Sequence, residues 1–363
     1  MKETDIVWAR LLNQQLINSK LADPQEVVSH LVAIQAQEYE FAKWAIALRC
    51  PSLSNQQIEA EFNKGNILRT HLLRPTWHFV APKDIRWLLQ LTAPQVIAVS
   101  RYMLRQLELD DKLFNRSNRI IEKNLEGKHL TRAELRSILE KNKIIAEGPR
   151  LSYICMKAEL DGIICSGARK GKQFTYALLE ERVAPAKKLN RKEALYELTN
   201  RYFASRGPAT LKDFSVWSGL KMKDVRAGTA MLDKKFEREI IDKQELIFIP
   251  QNIEKNKMPE LTFLLPDYDE YGMSYKGTSA NFNVKIIDPG KKRSFPTFNH
   301  IIIIDGQVAG TWKQTKKPGS ITIDTNPFFT LNKTKDKFLN KAVGDYIAFM
   351  LNEAKKKRKV KTK

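Results

Sequence analysis

Two glutamines two residues apart, Gln35 and Gln37, sit in the apolar stretch LVAIQAQEYEFAKWAIALR (residues 31–49) and are the strongest candidates for chemistry in this chain. A buried amide without a partner costs about 1–3 kcal/mol, so a pair of them in such a setting calls for a reason. Amides do not titrate near neutrality. They can hold a water and aim a carbonyl or N–H dipole at a developing charge, which is electrostatic rather than acid–base work. Leu31, Ile34, Trp44 and Leu48 read as helix faces. On a helix, residues two apart point to nearly opposite sides; in extended backbone they share a side. If the two amides act together, helical geometry must break near Gln35–Gln37. The alternative is a helix end with one buried glutamine and one solvated.

Three further clusters carry candidate chemistry. LRPTWHFV places Arg74, Trp77 and His78 on or beside a hairpin, with Arg69 on the strand before them. An arginine beside an aromatic suits a phosphate and an unstacked base, so all four are candidate DNA contacts; the alternative is a buried tryptophan with a hydrogen-bonded histidine. GARKGK puts Arg169, Lys170 and Lys172 on a tight basic turn suited to phosphates. It is not a nucleotide-binding loop, because the glycine spacing is one residue short and Gln173 replaces the required Ser or Thr. LLPDYDEY offers Asp267, Asp269 and Glu270. A nuclease could use Asp267 and Asp269 with Mg²⁺, but a Pro-Asp turn whose acid pairs with a nearby Arg or Lys is the preferred reading. Asp269 and Tyr271 are candidates for a binding pocket or a structural role. The five histidines show no zinc spacing, and no nucleophile elbow or dinucleotide fingerprint is present. No metal and no cofactor are expected.

Elements to position these residues follow from the pattern. Three segments repeat helices followed by a short hairpin. In the first, helices cover Asp5–Ile17, Pro24–Ile34, Tyr39–Leu48 and Asn55–Asn63, with strands at Ile67–Leu73 and Thr76–Val80. In the second, Thr131-Arg-Ala-Glu134 forms a capping box, flanked by Leu130 and Leu135 as a hydrophobic staple. A helix then runs from Gly148-Pro149 to Leu160, and residues 162–179 form a hairpin around the basic tip. In the third, Arg191–Ala204 is a helix, Thr210 caps the next with Asp213, Gly219 ends it, Met222–Leu232 follows, and Phe236–Ile249 forms the wing. Helix, turn, helix, hairpin is a winged helix-turn-helix. Beyond a linker at Gln251–Met258 the chain reads as strands at Leu261–Leu265, Val284–Ile287, Ile301–Asp305 and Val308–Thr311, with Asp305-Gly306 as a hairpin turn, then a helix from about Lys335 to Ala354. The expectation is an α+β, mainly helical fold of tandem winged helices with a β-rich C-terminal part. The domains are 1–110 with the two glutamines, 111–185, 186–255, 256–354, and a disordered basic tail at 355–363.

Composition narrows the function classes. The chain has 363 residues and a net charge of +21. The run from Lys355 to Lys363 supplies a third of that charge, so the remainder is still strongly basic. Such an excess favours nucleic acid over an anionic membrane. KKKRKV matches a nuclear-import signal, and a solvated tail is the preferred reading. No stretch approaches the roughly 20 apolar residues of a membrane helix, and MKETDIVWAR has no signal-peptide pattern. Cys50, Cys155 and Cys165 are unpatterned, as expected for free thiols in a reducing cytoplasm.

Taken together, the motifs LVAIQAQ with KWAIALR, LRPTWHFV followed by DIRW, LTRAEL, GPATLKDFSVWSGL, LLPDYDEYGMSY and IIIIDGQVAGTWK resemble the winged-helix DNA glycosylases typified by AlkZ and its relative YcaQ. Each is weak alone; their order and spacing from about residue 5 to 350 are specific. The resemblance implies tandem winged helices and a β-rich part wrapped into a concave DNA-binding body. It also implies a glutamine–apolar–glutamine catalytic motif, here Gln35-Ala36-Gln37, where the YcaQ branch has an aspartate second. The expected activity is a monofunctional glycosylase excising cationic N-alkylpurines of the N7-alkylguanine type, possibly unhooking interstrand crosslinks. The partner is double-stranded DNA, without membrane, acted on by a monomer in a bacterial cytoplasm at the nucleoid. A non-catalytic winged-helix regulator is the rival reading and a metal-dependent nuclease the third. The basic tail lies outside the resemblance.

Overall fold

The computed structural model describes residues 1–186, 188–251, 260–276, 280 and 300–352. The expected strand at Val284–Ile287, nearly all of the linker and the basic tail lie outside the described residues.

The first winged unit contains α2 (Pro24–Leu31), β1 (Ala33–Gln35), α3 (Tyr39–Arg49), α4 (Asn55–Lys64), β2 (Leu68–Leu72) and β3 (Thr76–Val80), preceded by α1 (Glu3–Asn13). Asp23 caps α2 and Ser54 caps α4 through a capping box with Gln57. The expected helix over Pro24–Ile34 stops early. Val32 takes a positive φ of 66°, and the chain then runs extended as β1. For a β-branched residue that conformation costs about 1–3 kcal/mol and persists only where the surroundings enforce it. Here the enforcing element is a three-stranded antiparallel sheet ordered β1-β3-β2.

A 25-residue helix, α5 (Pro82–Gln106), leads to the second unit. That unit comprises α6 (Asp111–Leu125), β4 (Leu130–Thr131), α7 (Arg132–Lys141), α8 (Gly148–Leu160), β5 (Ile164–Ser166), β6 (Thr175–Leu178) and the short α9 (Leu179–Arg182). Thr131 and Glu134 form the expected capping box. The third unit is α10 (Arg191–Arg206), α11 (Leu211–Ser218), α12 (Met222–Thr229), β7 (Glu237–Ile241) and β8 (Gln244–Phe248). Thr210 and Asp213 box the start of α11, and Gly219 ends it in the left-handed region.

The C-terminal part is a sheet ordered β12-β11-β10-β9, built from β9 (Thr262–Leu265), β10 (Ile301–Ile304), β11 (Gln307–Lys317) and β12 (Ser320–Pro327). The one-turn α13 (Glu270–Met273) follows β9, and α14 (Lys333–Met350) closes the described chain. Asp305 and Gly306 make the expected turn, both at positive φ. The architecture is therefore mainly helical α+β, with the winged-helix pattern repeated three times.

The first sheet lies between two cores. Ala33, Val80, Leu68 and Leu72 pack toward α5 and the third unit. Ile34, Phe79 and Ala36 pack toward α3, α4 and the C-terminal sheet. This alternation is what a strand buried on both faces requires, and it decides which side of the molecule each candidate residue faces.

Candidate functional site

Gln35 ends β1 opposite His78 of β3, which itself stands opposite Thr70 of β2. Gln35, His78 and Thr70 therefore form one row on the face toward α5 and the third unit. Ala36 N–H donates to the Trp77 carbonyl at 2.8 Å, which carries the ladder one residue past β1. The pair Gln35–His78 is then a non-hydrogen-bonded pair, with the side chains close and the Gln35 N–H pointing out of the sheet edge.

That N–H is received by Glu270. Its Oε1 accepts from Gln35 N at 3.0 Å, while its Oε2 accepts from Arg206 Nη2 and Trp217 Nε1, both at 2.7 Å. Glu270 and Arg206 are each 0% exposed. An ion pair this deep tolerates no missing partner, and its carboxylate stands where a fourth strand would stand. One residue earlier, Asp269 takes a two-pronged contact from Arg49 at 2.8 and 2.9 Å and caps α13 through Tyr271 N. Tyr271 is buried and donates its hydroxyl to the Gly306 carbonyl. Asp269, Glu270 and Tyr271 thus form a clamp between the C-terminal part and the rest of the chain, in line with the Pro-Asp turn reading. Asp267 lies 3.2 Å from His300 Nδ1. Burial, then the Glu38 charge, raises the Asp267 carboxyl to about 6, and burial lowers His300 to about 4. These shifts are opposite to those of an ion pair, so burial outweighs attraction and His300 is neutral at pH 7. Among the described residues, no group of three or more His, Cys, Asp or Glu is placed to hold a metal ion.

The side chain of Gln35 is held as well. Arg74 Nη2 donates to Gln35 Oε1 at 2.9 Å, and Arg74 Nη1 donates to the Trp217 carbonyl at 2.6 Å, at the C-terminal end of α11. Gly219 makes this docking possible. It has a φ of +70°, and a Cβ there would lie 2.3 Å from the Leu73 carbonyl oxygen. Gln37 is half-buried, and its side chain makes no hydrogen bond with a described residue.

The other face of the sheet carries Arg69, His71 and Trp77. Arg69 is buried, with its guanidinium 4.3 Å from the Trp77 ring and 4.6 Å from that of Phe174. It donates to the Ala36 carbonyl at 2.9 Å and to that of Gln37 at 3.5 Å. Burial lowers its pKa to about 10, which leaves it charged. Arg69 thus binds the backbone of the glutamine motif from behind. The second unit joins this face: Ser166 Oγ accepts from Arg69 N–H at 2.8 Å, and Glu159 meets His71 Nδ1. Trp77 is half-buried.

His78 is fully buried. Its Nδ1 lies 2.9 Å from the Thr76 carbonyl, which can only accept, so Nδ1 carries the proton and Nε2 is a lone pair without a partner among the described residues. Burial, then the Arg74 charge, holds its pKa well below 6.5. It offers no surface to a phosphate. The wing tip also differs from a freely solvated turn. Arg169 folds inward, its Nη1 3.2 Å from Glu59 and its guanidinium 4.9 Å from the rings of both Tyr39 and Phe174. Lys170 pairs with Glu134, and Lys172 is exposed. Arg169 and Lys172 line a cleft of about 730 Å³ with Lys43, Lys316 and Lys317, beside Glu40 and Glu59. The two lysines on the long β11–β12 hairpin escaped the sequence reading, although PGS between two alternating runs was a legible turn signal.

The structure thus gathers Gln35, Arg74 and His78 with Glu270 and Trp217 on one side of the first sheet, and Arg69 and Trp77 on the other. Comparison with known proteins adds to this geometry. A family model described as "DNA glycosylase AlkZ-like" matches residues 28–349. The chain is 22% identical over 324 residues to the "Interstrand DNA cross-link repair glycosylase" of Streptomyces sahachiroi, covering 85% of this chain and 86% of that one. The solved structure of the Streptomyces sahachiroi DNA glycosylase AlkZ superposes with a TM-score of 0.77 at 18% identity, covering 97% of both chains.

Proposed function

From the chain's membership of the AlkZ-like DNA glycosylase family, we propose that it is a monofunctional glycosylase that excises cationic N7-alkylguanine-type lesions from double-stranded DNA, with Gln35 and Gln37 at the reacting centre. The observation that carries this reading is the effort spent on Gln35. Its N–H, its carbonyl end and the backbone after it are held by Glu270, Arg74 and Arg69 respectively. A residue needed only for packing does not require three charged partners.

The chemistry suits a site of neutral amides. Guanine alkylated at N7 is already cationic and departs without being protonated. What the site must supply is a held water and a preorganised field around an oxocarbenium-like sugar. No lysine is assigned as a nucleophile, so the product is an abasic site. The relative from Streptomyces sahachiroi is named for interstrand cross-link repair; unhooking a crosslink here would be the same bond cleavage on a bulkier leaving group. The basic surface, with Lys172, Lys316 and Lys317 exposed, supplies phosphate contacts without lesion specificity. Action as a monomer in a bacterial cytoplasm completes the proposal.

The test is to incubate the protein with DNA containing N7-methylguanine, treat with alkali and look for strand breaks, with EDTA present in a parallel arm. Breaks at the lesion that survive EDTA support a glycosylase. Wild-type excision matched by both Gln35→Ala and Gln37→Ala would remove the amides from the mechanism. No breaks at any alkylated base would favour a DNA-binding role without catalysis.

A further inference from the structure

We infer that Arg74 is a positioning residue that fixes the polarity of the Gln35 amide, so that Gln35 acts on the lesion as a hydrogen-bond donor while Gln37 holds the water. The inference rests on the glycosylase reading and assigns separate roles within it.

The argument starts from the donor and acceptor inventory. A guanidinium has five N–H donors and no acceptor. The amide atom facing Arg74 Nη2 at 2.9 Å is therefore the oxygen, and the usual ambiguity between amide O and N is removed. Arg74 is itself fixed, because Nη1 donates to the carbonyls of Trp217 at 2.6 Å and Val216 at 3.4 Å. Those carbonyls end α11, where the helix dipole favours a cation. Trp217 also donates its indole N–H to Glu270, which receives the Gln35 backbone. One tryptophan thus ties both holds on Gln35 together. With Oε1 engaged, the free end of the amide is Nε2, and no described residue accepts from it.

An N–H donor has the wrong sign for a cationic sugar and the right sign for the departing base. As the C1′–N9 bond breaks, its electron pair goes to the purine and cancels the positive charge there. The lone pairs of the base become better acceptors at that moment, so a fixed N–H gains most in the transition state. Water then bonds to C1′ and releases a proton to solvent. That water falls to Gln37, whose side chain no described residue engages.

Two readouts test this, one of them independent of activity. In protein labelled with ¹⁵N at glutamine, the Gln35 side-chain amide signal, assigned by its loss in Gln35→Ala, should shift in Arg74→Ala. Absence of a shift overturns the clamp. In single-turnover excision of N7-methylguanine, Gln35→Glu keeps the size and the Arg74 contact but lacks the donors. It should lose about 10- to 100-fold, the value of one hydrogen bond made to a charged or charging group, and match Gln35→Ala. Arg74→Ala should lose a similar factor with DNA affinity within about threefold, and should add nothing in the Gln35→Ala background. Gln35→Glu working within threefold of wild type would overturn the donor assignment. An Arg74→Ala loss that appears in DNA affinity rather than turnover would return Arg74 to phosphate binding and overturn its positioning role. A wild type that shows the amide shift and excises nothing would sink the glycosylase reading, and the donor role with it, while leaving the clamp standing.

Discussion

Glu270→Gln is the perturbation that most directly tests how this site is built. The carboxylate accepts three hydrogen bonds, one from Gln35 N on Oε1 and two from Arg206 and Trp217 on Oε2. An amide of the same shape can keep the two on its oxygen. Its NH₂ then faces the Gln35 N–H, donor against donor. Arg206, fully buried, also loses its counter-charge. Breaking one partner of a buried pair costs about 3–5 kcal/mol, and the retained oxygen places this variant at the lower end, near 3 kcal/mol. With a urea dependence of about 3 kcal/mol per molar, the top of the range for small proteins, the midpoint should fall by roughly 1 M. Excision should fall further than stability alone explains, because the edge N–H of β1 has lost its acceptor. The double variant Arg206→Met with Glu270→Met separates the two effects. Removing both charges abolishes the cost of the uncompensated Arg206, so the urea midpoint should recover in part, short of the wild type because the Gln35 and Trp217 N–H groups still lack their acceptor, while excision does not recover. A Glu270→Gln midpoint within about 0.2 M of wild type would refute the clamp, and full excision by the double variant would refute the anchoring of Gln35 by Glu270.

Other outcomes follow from the same geometry. Asp267 has its carboxyl raised from 3.8 to about 6, so the folded state binds that proton more tightly than the unfolded one. Its stability penalty is close to absent at pH 3, grows as pH rises through 4, and is full above about pH 7; Asp267→Asn should therefore gain about 2 kcal/mol in melts at pH 8 and close to nothing at pH 3. A gain at both pH values would show that charge is not the cause. Lys172→Ala should lower the salt slope of DNA binding by up to about 0.9 with melting unchanged, whereas Arg169→Ala should reduce melting temperature because that side chain docks on Glu59, Tyr39 and Phe174. Val32→Gly removes about 1–3 kcal/mol of backbone strain and about as much apolar burial, so it should be close to neutral in urea melts; a loss above 3 kcal/mol would show that Val32 is not strained.

Legibility in the sequence followed the range of the interactions. The capping boxes at Thr131 and Thr210, the stop at Gly219 and the turn at Asp305-Gly306 were readable because each is decided within a few residues. The repeated winged pattern was readable for the same reason. The helix break before Gln35 could be posed only as a condition, since Val32 is a poor residue for positive φ and the ladder to β3 enforces it from outside. Helix α5 was not read, because Pro94 sits inside it and an interior proline ordinarily signals a boundary. The β11–β12 hairpin extends past the four residues expected on the β11 side because exposed Lys and Thr positions carry little apolar signal. Among the candidate site residues, the sequence supplied side-chain types but no direction. Arg69, His78 and Arg169 suit phosphates by type, yet burial and partners from distant segments turn each inward.

The placement of Gln35 on an edge strand has a physical consequence for the whole chain. A three-residue edge strand cannot hold a side chain still by its own ladder, since half its backbone groups face outward unpaired. In this molecule the outward N–H is closed by Glu270 from the C-terminal part, and the amide is closed by Arg74, which is seated on α11 of the third unit. The second unit reaches the same sheet at its β2 edge through Ser166 and on its other face through Glu159. The C-terminal part and the third unit therefore each contribute a hold on β1, while the second unit steadies β2 of the same sheet. The winged-helix repeats are thus more than successive DNA-binding modules: the third serves as the wall against which the first is fixed. A preorganised amide is worth more in a transition state than a mobile one, because no energy is spent orienting it at the moment of reaction.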